Sequence, residues 1–174
     1  MPKQLSFNEE IAVIPSMQAF SVPHEVKLST RQIGKLGELL IQYELLRYGI
    51  ESAPMTTDSG VDLVAYSATG GRAITIQVKT NLKPKPGGGK GALAIDWWVS
   101  DDCPAQWFAL ADLDSRRIWL FKKKEFFKKA QQKSKNRGHL YMYIEPGTRA
   151  YAQNGDHKFD KYLFERKIEN FIHK

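Results

Sequence analysis

At 174 residues, with 42% hydrophobic and 26% charged residues, the chain suits one globular domain that buries its own core. No apolar run approaches the roughly 20 residues a membrane span needs. The N-terminus carries Glu9 and Glu10 and does not read as a signal peptide, and the single Cys103 excludes an intrachain disulfide and fits a reducing, cytoplasmic setting. The net charge of +7 is unevenly spread: residues 1–60 hold 5 basic and 7 acidic side chains, 61–120 hold 7 and 6, and 121–174 hold 14 and 6. The excess therefore lies in the last third, which points to a polyanionic partner or to a solvated lysine-rich face.

Residues 1–28 read as an arm or edge element, with a short strand at Ile11–Ile14 between helix-breaking prolines 15 and 23. Ser29 and Gln32 fit a capping box and open a helix over Thr30–Tyr48, with Gly49 as its stop. The spacing of Ile33, Leu36, Leu40, Tyr43 and Leu46 predicts its core face. Glu38 lies on another stripe, with Gly34, Ile41 and Leu45; the small Gly34 and Gly37 would let a sheet or a ligand come close.

Glu51–Thr57 reads as a short strand and Asp58-Ser59-Gly60 as a turn. Val61–Tyr66 and Ala73–Thr80 then form a hairpin about Thr69-Gly70-Gly71. Lys83–Gly91 is a flexible glycine-rich loop without phosphate-loop spacing, suited at most to touching a backbone phosphate. Strands are expected at Ala92–Val99, Trp107–Leu113, Arg117–Phe121 and Leu140–Ile144, and helices at Lys124–Lys133 and Phe159–Ile172. The order predicts an α/β (α+β) domain around a mixed sheet.

Three pieces carry chemistry: Glu38 in the helix, Asp62 opening a strand, and Gln77-Val78-Lys79 closing the next. Residues two apart on a strand share a face, so Gln77 and Lys79 project together and Val78 points to the core. Antiparallel pairing sets Asp62 beside them. A carboxylate and an amide oxygen facing one point suit Mg²⁺ or Mn²⁺, and an adjacent lysine suits a transition state that gains negative charge. Taken singly, an Asp at a strand start is usually a turn residue, a Gln-x-Lys a polar exit from the core, and a mid-helix Glu a solvated side chain. Their joint order is what carries weight.

The stretch from Ile33 to Thr80, with Glu38, Gly60-Val61-Asp62 and Gln77-Val78-Lys79, resembles the core of PD-(D/E)XK endonucleases, in particular the branch that includes archaeal Holliday junction resolvases. The resemblance implies a restriction-endonuclease-like mixed sheet flanked by helices. It also implies a metal site of Glu38, Asp62, Gln77 and the Val78 carbonyl, with Lys79 beside it, and metal-dependent DNA hydrolysis; the substrate form stays open among duplex, branched and single-stranded DNA and RNA, and a two-strand cut would favour a homodimer, as in the resolvases of this branch. Gly60-Val61 stands where the family has its proline, and Gln77 stands where it has a second acid. The second change leaves two carboxylates where there are three, and keeps open a weakly active or inactive nucleic-acid-binding module. In that reading residues 29–130 are the nuclease-like core and 131–174 a basic C-terminal extension packed on it.

The lysine run supplies the expected phosphate contacts: Lys122, Lys123, Lys124, Lys128, Lys129, Lys133, Lys135 and Arg137, with Lys124, Lys128 and Lys135 on one helical stripe. The four histidines are scattered without metal-ligand spacing, so zinc is not expected. The four tryptophans are expected mainly in the core, with one of the adjacent pair Trp97 and Trp98 facing outward.

Overall fold

The computed structural model describes residues 26–57, 59–67, 72–89 and 91–172. The expected strand at 11–14, the hairpin tip at 69–71 and Asp58 of the turn lie outside these. Helix α1 (Thr30–Arg47) starts at the expected capping box: Gln32 N donates to Ser29 Oγ (3.3 Å) and Ser29 N to Gln32 Oε1 (2.8 Å). It ends before Gly49, whose φ of +71° is left-handed. Then come β1 (Ile50–Pro54), β2 (Leu63–Ser67), β3 (Ile74–Asn81), β4 (Lys85–Pro86), β5 (Leu93–Ser100), β6 (Trp107–Asp112) and β7 (Arg117–Lys122). The chain closes with α2 (Lys123–Lys129), β8 (Gln132–Ser134), β9 (Arg137–Tyr143), α3 (Arg149–Asn154), a 3₁₀ segment (Asp156–Tyr162) and α4 (Phe164–Ile172).

The mixed sheet runs β1-β2-β3-β6-β7, with β3 and β6 parallel and the other pairs antiparallel. A second, antiparallel sheet runs β4-β5-β9-β8. One face of the mixed sheet packs on α1 and α4 through Ile41, Leu45, Ile76, Val78, Ile168 and Phe171. The other packs on the second sheet and α2 through Phe108, Leu110, Phe121, Trp97, Leu140 and Phe126. Strand β6 is buried along its whole length because both its faces are covered, which explains its unbroken apolar run. No helix among the described residues is long and apolar enough to cross a membrane.

Two expectations are corrected. The buried face of α1 is Gly37, Ile41 and Leu45, whereas Leu36, Tyr43 and Leu46 are exposed. Apolar residues occupy both sides of this helix, and the side that can approach the sheet wins. A Cβ on Gly37 would lie 2.9 Å from Thr80 Cβ, so only glycine permits that contact. The helix expected over Lys124–Lys133 stops at Lys129. Gln132–Ser134 is instead the short edge strand β8, which turns through Asn136 (φ +65°) into β9. Lys135 lies in that turn, so Lys124, Lys128 and Lys135 do not share a helical stripe.

Candidate active site

The hairpin of β2 and β3 assembles the centre. Its register pairs Leu63 with Ile76 and Val64 with Thr75. One step further, Asp62 N donates to Ile76 O at 2.9 Å, so Asp62 sits immediately before β2 and opposite the first half of β3, which runs on to Asn81. Its carboxylate Oδ2 accepts the Val78 N–H at 2.6 Å. Val78 itself points into the helix-side core with Ile76, so Gln77 and Lys79 face the other way, as the two-residue period requires.

Gln77 is buried, and its Oε1 has no hydrogen-bond partner among the described residues. A buried acceptor without a donor is costly, and a bound ion or water can supply the missing partner; Thr80 Oγ1, Trp97 Nε1 and Trp119 Nε1 likewise have no partner among the described residues. Around Gln77 lie Gly60 of the expected turn and Cys103, which no motif connects to it. Gly60 has φ +77°, and a Cβ there would stand 3.1 Å from Pro104 Cδ and 3.9 Å from Gln77 Nε2. Cys103 Sγ donates to Gly60 O at 3.1 Å. Burial pushes the Cys103 thiol up from its ordinary pKa, while Lys123 and Lys79 pull it down and Asp62 pushes it further up. The thiol is therefore a protonated packing partner close to both site side chains, not a nucleophile. No motif spacing links Cys103 to Asp62; only the fold brings them together.

Glu38 follows Gly37, the residue that meets Thr80, so α1 carries it to the C-terminal half of β3. Its Oε2 pairs with Lys35 Nζ at 2.8 Å. The structure thus joins Asp62 to Gln77-Val78 directly, places Lys79 on the same face as Gln77, and leaves Glu38 paired within its own helix. Among the described residues no three of His, Cys, Asp and Glu converge as a metal-ligand group. The donors that do meet are a carboxylate and an orphaned amide oxygen. That set fits a hard cation held by little charge, and it does not fit zinc.

The basic residues divide between two places. Lys122, Lys123 and Lys124 join Arg72, Gln106 and Trp107 around an open cavity of about 870 Å³ beside the start of β3. Lys122 Nζ lies 5.4 Å from the centre of the Trp107 ring, and Lys123 Nζ donates to Cys103 O at 2.6 Å, which ties this cavity to the site. Lys128 and Lys129 occupy the last turn of α2, while Lys135 and Arg137 flank the β8–β9 turn.

No family model matches the chain, and no curated protein matches it. Among solved structures it is similar to a bacterial homing endonuclease, I-Ssp6803I. The match has 12% identity and a TM-score of 0.52, and covers 82% of this chain and 93% of that one. The chain has a restriction-endonuclease-like fold. Weaker likenesses are to the Holliday junction resolvase Hjc of Archaeoglobus fulgidus and to MepB. For the first, the identity is 15%, the coverage 62% and 82%, and the TM-score 0.43. For the second, the identity is 12%, the coverage 72% and 93%, and the TM-score 0.38. Within this fold the expected mixed sheet and flanking helices are present, and the second sheet is an addition that the sequence did not reveal.

Proposed function

We propose that this chain is an endonuclease that hydrolyses DNA phosphodiester bonds with Mg²⁺ or Mn²⁺ at Asp62, Gln77, Val78 and Lys79. One observation carries the reading. A strand-end carboxylate is fixed on the Val78 N–H, next in the chain to Gln77, whose buried amide oxygen lacks a donor among the described residues, with Lys79 on the face of Gln77. Asp62, the Gln77 oxygen and the Val78 carbonyl would hold the cation, with Glu38 reaching it directly or through water once it leaves Lys35. When bound, the cation supplies Lewis-acid stabilisation of phosphate charge and a more acidic water.

The protein's own groups do the rest. The Val78 amide fixes the Asp62 rotamer, so the carboxylate needs no reorganisation on binding. Lys79 orients the attacking water and offsets the charge that builds on phosphorus. Water adds to phosphorus as the bond to the leaving sugar oxygen breaks, giving a phosphate monoester and an alcohol. A homodimer would allow both strands of a duplex to be cut.

The Lys35–Glu38 pair and the neutral Gln77 favour a second reading, a nucleic-acid-binding module whose metal site is too weak for catalysis. Incubation with linear, branched and single-stranded DNA and with RNA, with and without Mn²⁺, separates the two. Cleavage is expected only with the cation and is expected to vanish in Asp62→Asn. Cleavage that persists in excess chelator overturns the mechanism, and binding without cleavage on any substrate favours the module.

A further inference from the structure

The outer face of the second sheet carries a row of rings that the proposed chemistry does not use. In β5 and β9, Ile95, Trp97, Leu140 and Met142 point into the core, so Asp96, Trp98, His139, Tyr141 and Tyr143 point outward. Register sets Trp98 beside His139, Asp96 beside Tyr141 and Ala94 beside Tyr143. Trp98 and His139 are stacked, with centroids 4.1 Å apart and planes 6° apart. His139 to Tyr141 is 5.4 Å and Tyr141 to Tyr143 is 5.7 Å, which continues the row along β9.

The row is built rather than incidental. His139 is held at both nitrogens, Nε2 at 2.8 Å from Asp96 Oδ2 and Nδ1 at 3.0 Å from Gln132 Oε1. The carboxylate of Asp96 is thereby tied to the ring of His139. Along the row lies a groove of about 310 Å³ lined by Lys85, Gly87, Asp96, His139, Tyr141 and Tyr143. A Cβ on Gly87 would come within 3.0 Å of the Tyr143 ring, so glycine lets the loop lie flat against it. Trp98 is 40% exposed, whereas Trp97, Trp107 and Trp119 are 3%, 6% and 0% exposed.

We propose that this face binds unpaired nucleotides of a DNA strand by stacking, so that the substrate presents single-stranded DNA next to the scissile bond. Charge selects this occupant. Lys85 and Arg137 stand on the same outer face at opposite ends of the row, where a sugar or a peptide would have no need of two cations. Ring-bearing positions two apart on β9 are about 6.6 Å apart, a step that neighbouring nucleotides of an extended strand can match. Base–aromatic stacking tolerates any sequence. Strand β5 also touches the strand that carries the site. Asn81 shares its face of β3 with Gln77 and Lys79, and its Nδ2 donates to Asp96 O at 2.7 Å. This inference rests on the nuclease reading for its choice of ligand, and its test does not depend on cleavage.

The test is tryptophan fluorescence of the full chain in chelator, titrated with an oligodeoxythymidylate and separately with a duplex. Trp98 is the exposed indole, so the single strand is expected to quench emission. Trp98→Ala is expected to weaken single-strand binding about tenfold or more and leave duplex binding unchanged, whereas Trp98→Phe retains most of the affinity. Tyr141→Leu, followed by anisotropy of a labelled oligonucleotide, provides a second variant if Trp98→Ala does not fold. Absence of quenching, or equal losses for single strand and duplex in both variants, overturns the proposal. Quenching without cleavage on any substrate supports stacking and removes the nuclease reading; cleavage without quenching does the reverse.

Discussion

Asp62 has two tasks that different substitutions separate. Its Oδ2 accepts the Val78 N–H, and its charge is the one the proposed cation would meet on the strand. Asn keeps an acceptor at that place and loses the charge, so Asp62→Asn is expected to fold as the parent does and to lose cutting. Asp62→Ala leaves the Val78 amide unpaired and is expected to cost about 1–3 kcal/mol, visible as a lower denaturation midpoint than that of the Asn variant. Gln77→Glu adds a charge beside the orphaned oxygen position and is expected to raise Mn²⁺ affinity, most plainly at low metal. Lys79→Ala is expected to spare metal binding and stop cleavage. Calorimetric metal titration alongside cleavage assays checks the set: a fall in metal affinity in Gln77→Glu, or normal cutting by Lys79→Ala, means that the site lies elsewhere. The Asp62, Gln77 and Lys79 geometry was readable in the sequence because strand periodicity and hairpin order are local properties. Cys103 and Lys123 were not, because they reach the site only through the crossover that makes β3 and β6 parallel.

At the scale of elements, the two glycines of α1 look alike in sequence and differ in space. A Cβ on Gly37 meets the Thr80 side chain of β3, whereas a Cβ on Gly34 meets nothing within 4 Å. Gly37→Ala is therefore expected to destabilise by about 1–3 kcal/mol, and Gly34→Ala to stabilise by roughly 0.5–1 kcal/mol through the unfolded chain and helix propensity. Denaturant melts of the two variants, with Gly37→Ala/Thr80→Ala recovering part of the loss, test that contact. Equal effects at both glycines would place the helix wrongly and with it Glu38. The same contact explains why the buried stripe of α1 is Gly37, Ile41 and Leu45 and not the one its apolar spacing predicts. Leu36, Tyr43 and Leu46 repeat at helical spacing as well as Ile41 and Leu45 do, and only the depth of approach decides between them. Strand β8 was hidden for a different reason: three exposed residues, Gln132, Lys133 and Ser134, carry no alternation, and their pairing is with β9.

For the molecule as a whole, the excess charge of the last third is not one patch. Lys122, Lys123 and Lys124 stand with Arg72 around the large cavity and are linked to the site through the Cys103 carbonyl. Glu125 also lines that cavity, but its carboxylate is neutralised by Lys167 at 2.9 Å. Lys135 sits in the β8–β9 turn, apart from the lysines and the arginine of that cavity. Duplex affinity should therefore come from the cavity rim rather than the turn. Each phosphate neutralised contributes about 0.9 to the slope of log affinity against log salt. Replacing Arg72 and Lys124 with alanine is expected to flatten that slope by roughly 2, while Lys135→Ala changes it by much less than one contact. Anisotropy of a labelled duplex across a salt series measures both. A flattened slope in Lys135→Ala with none in the double variant would move the duplex from the β3 end of the sheet to the β8–β9 turn, and would separate the duplex-binding surface from the Asp62 centre.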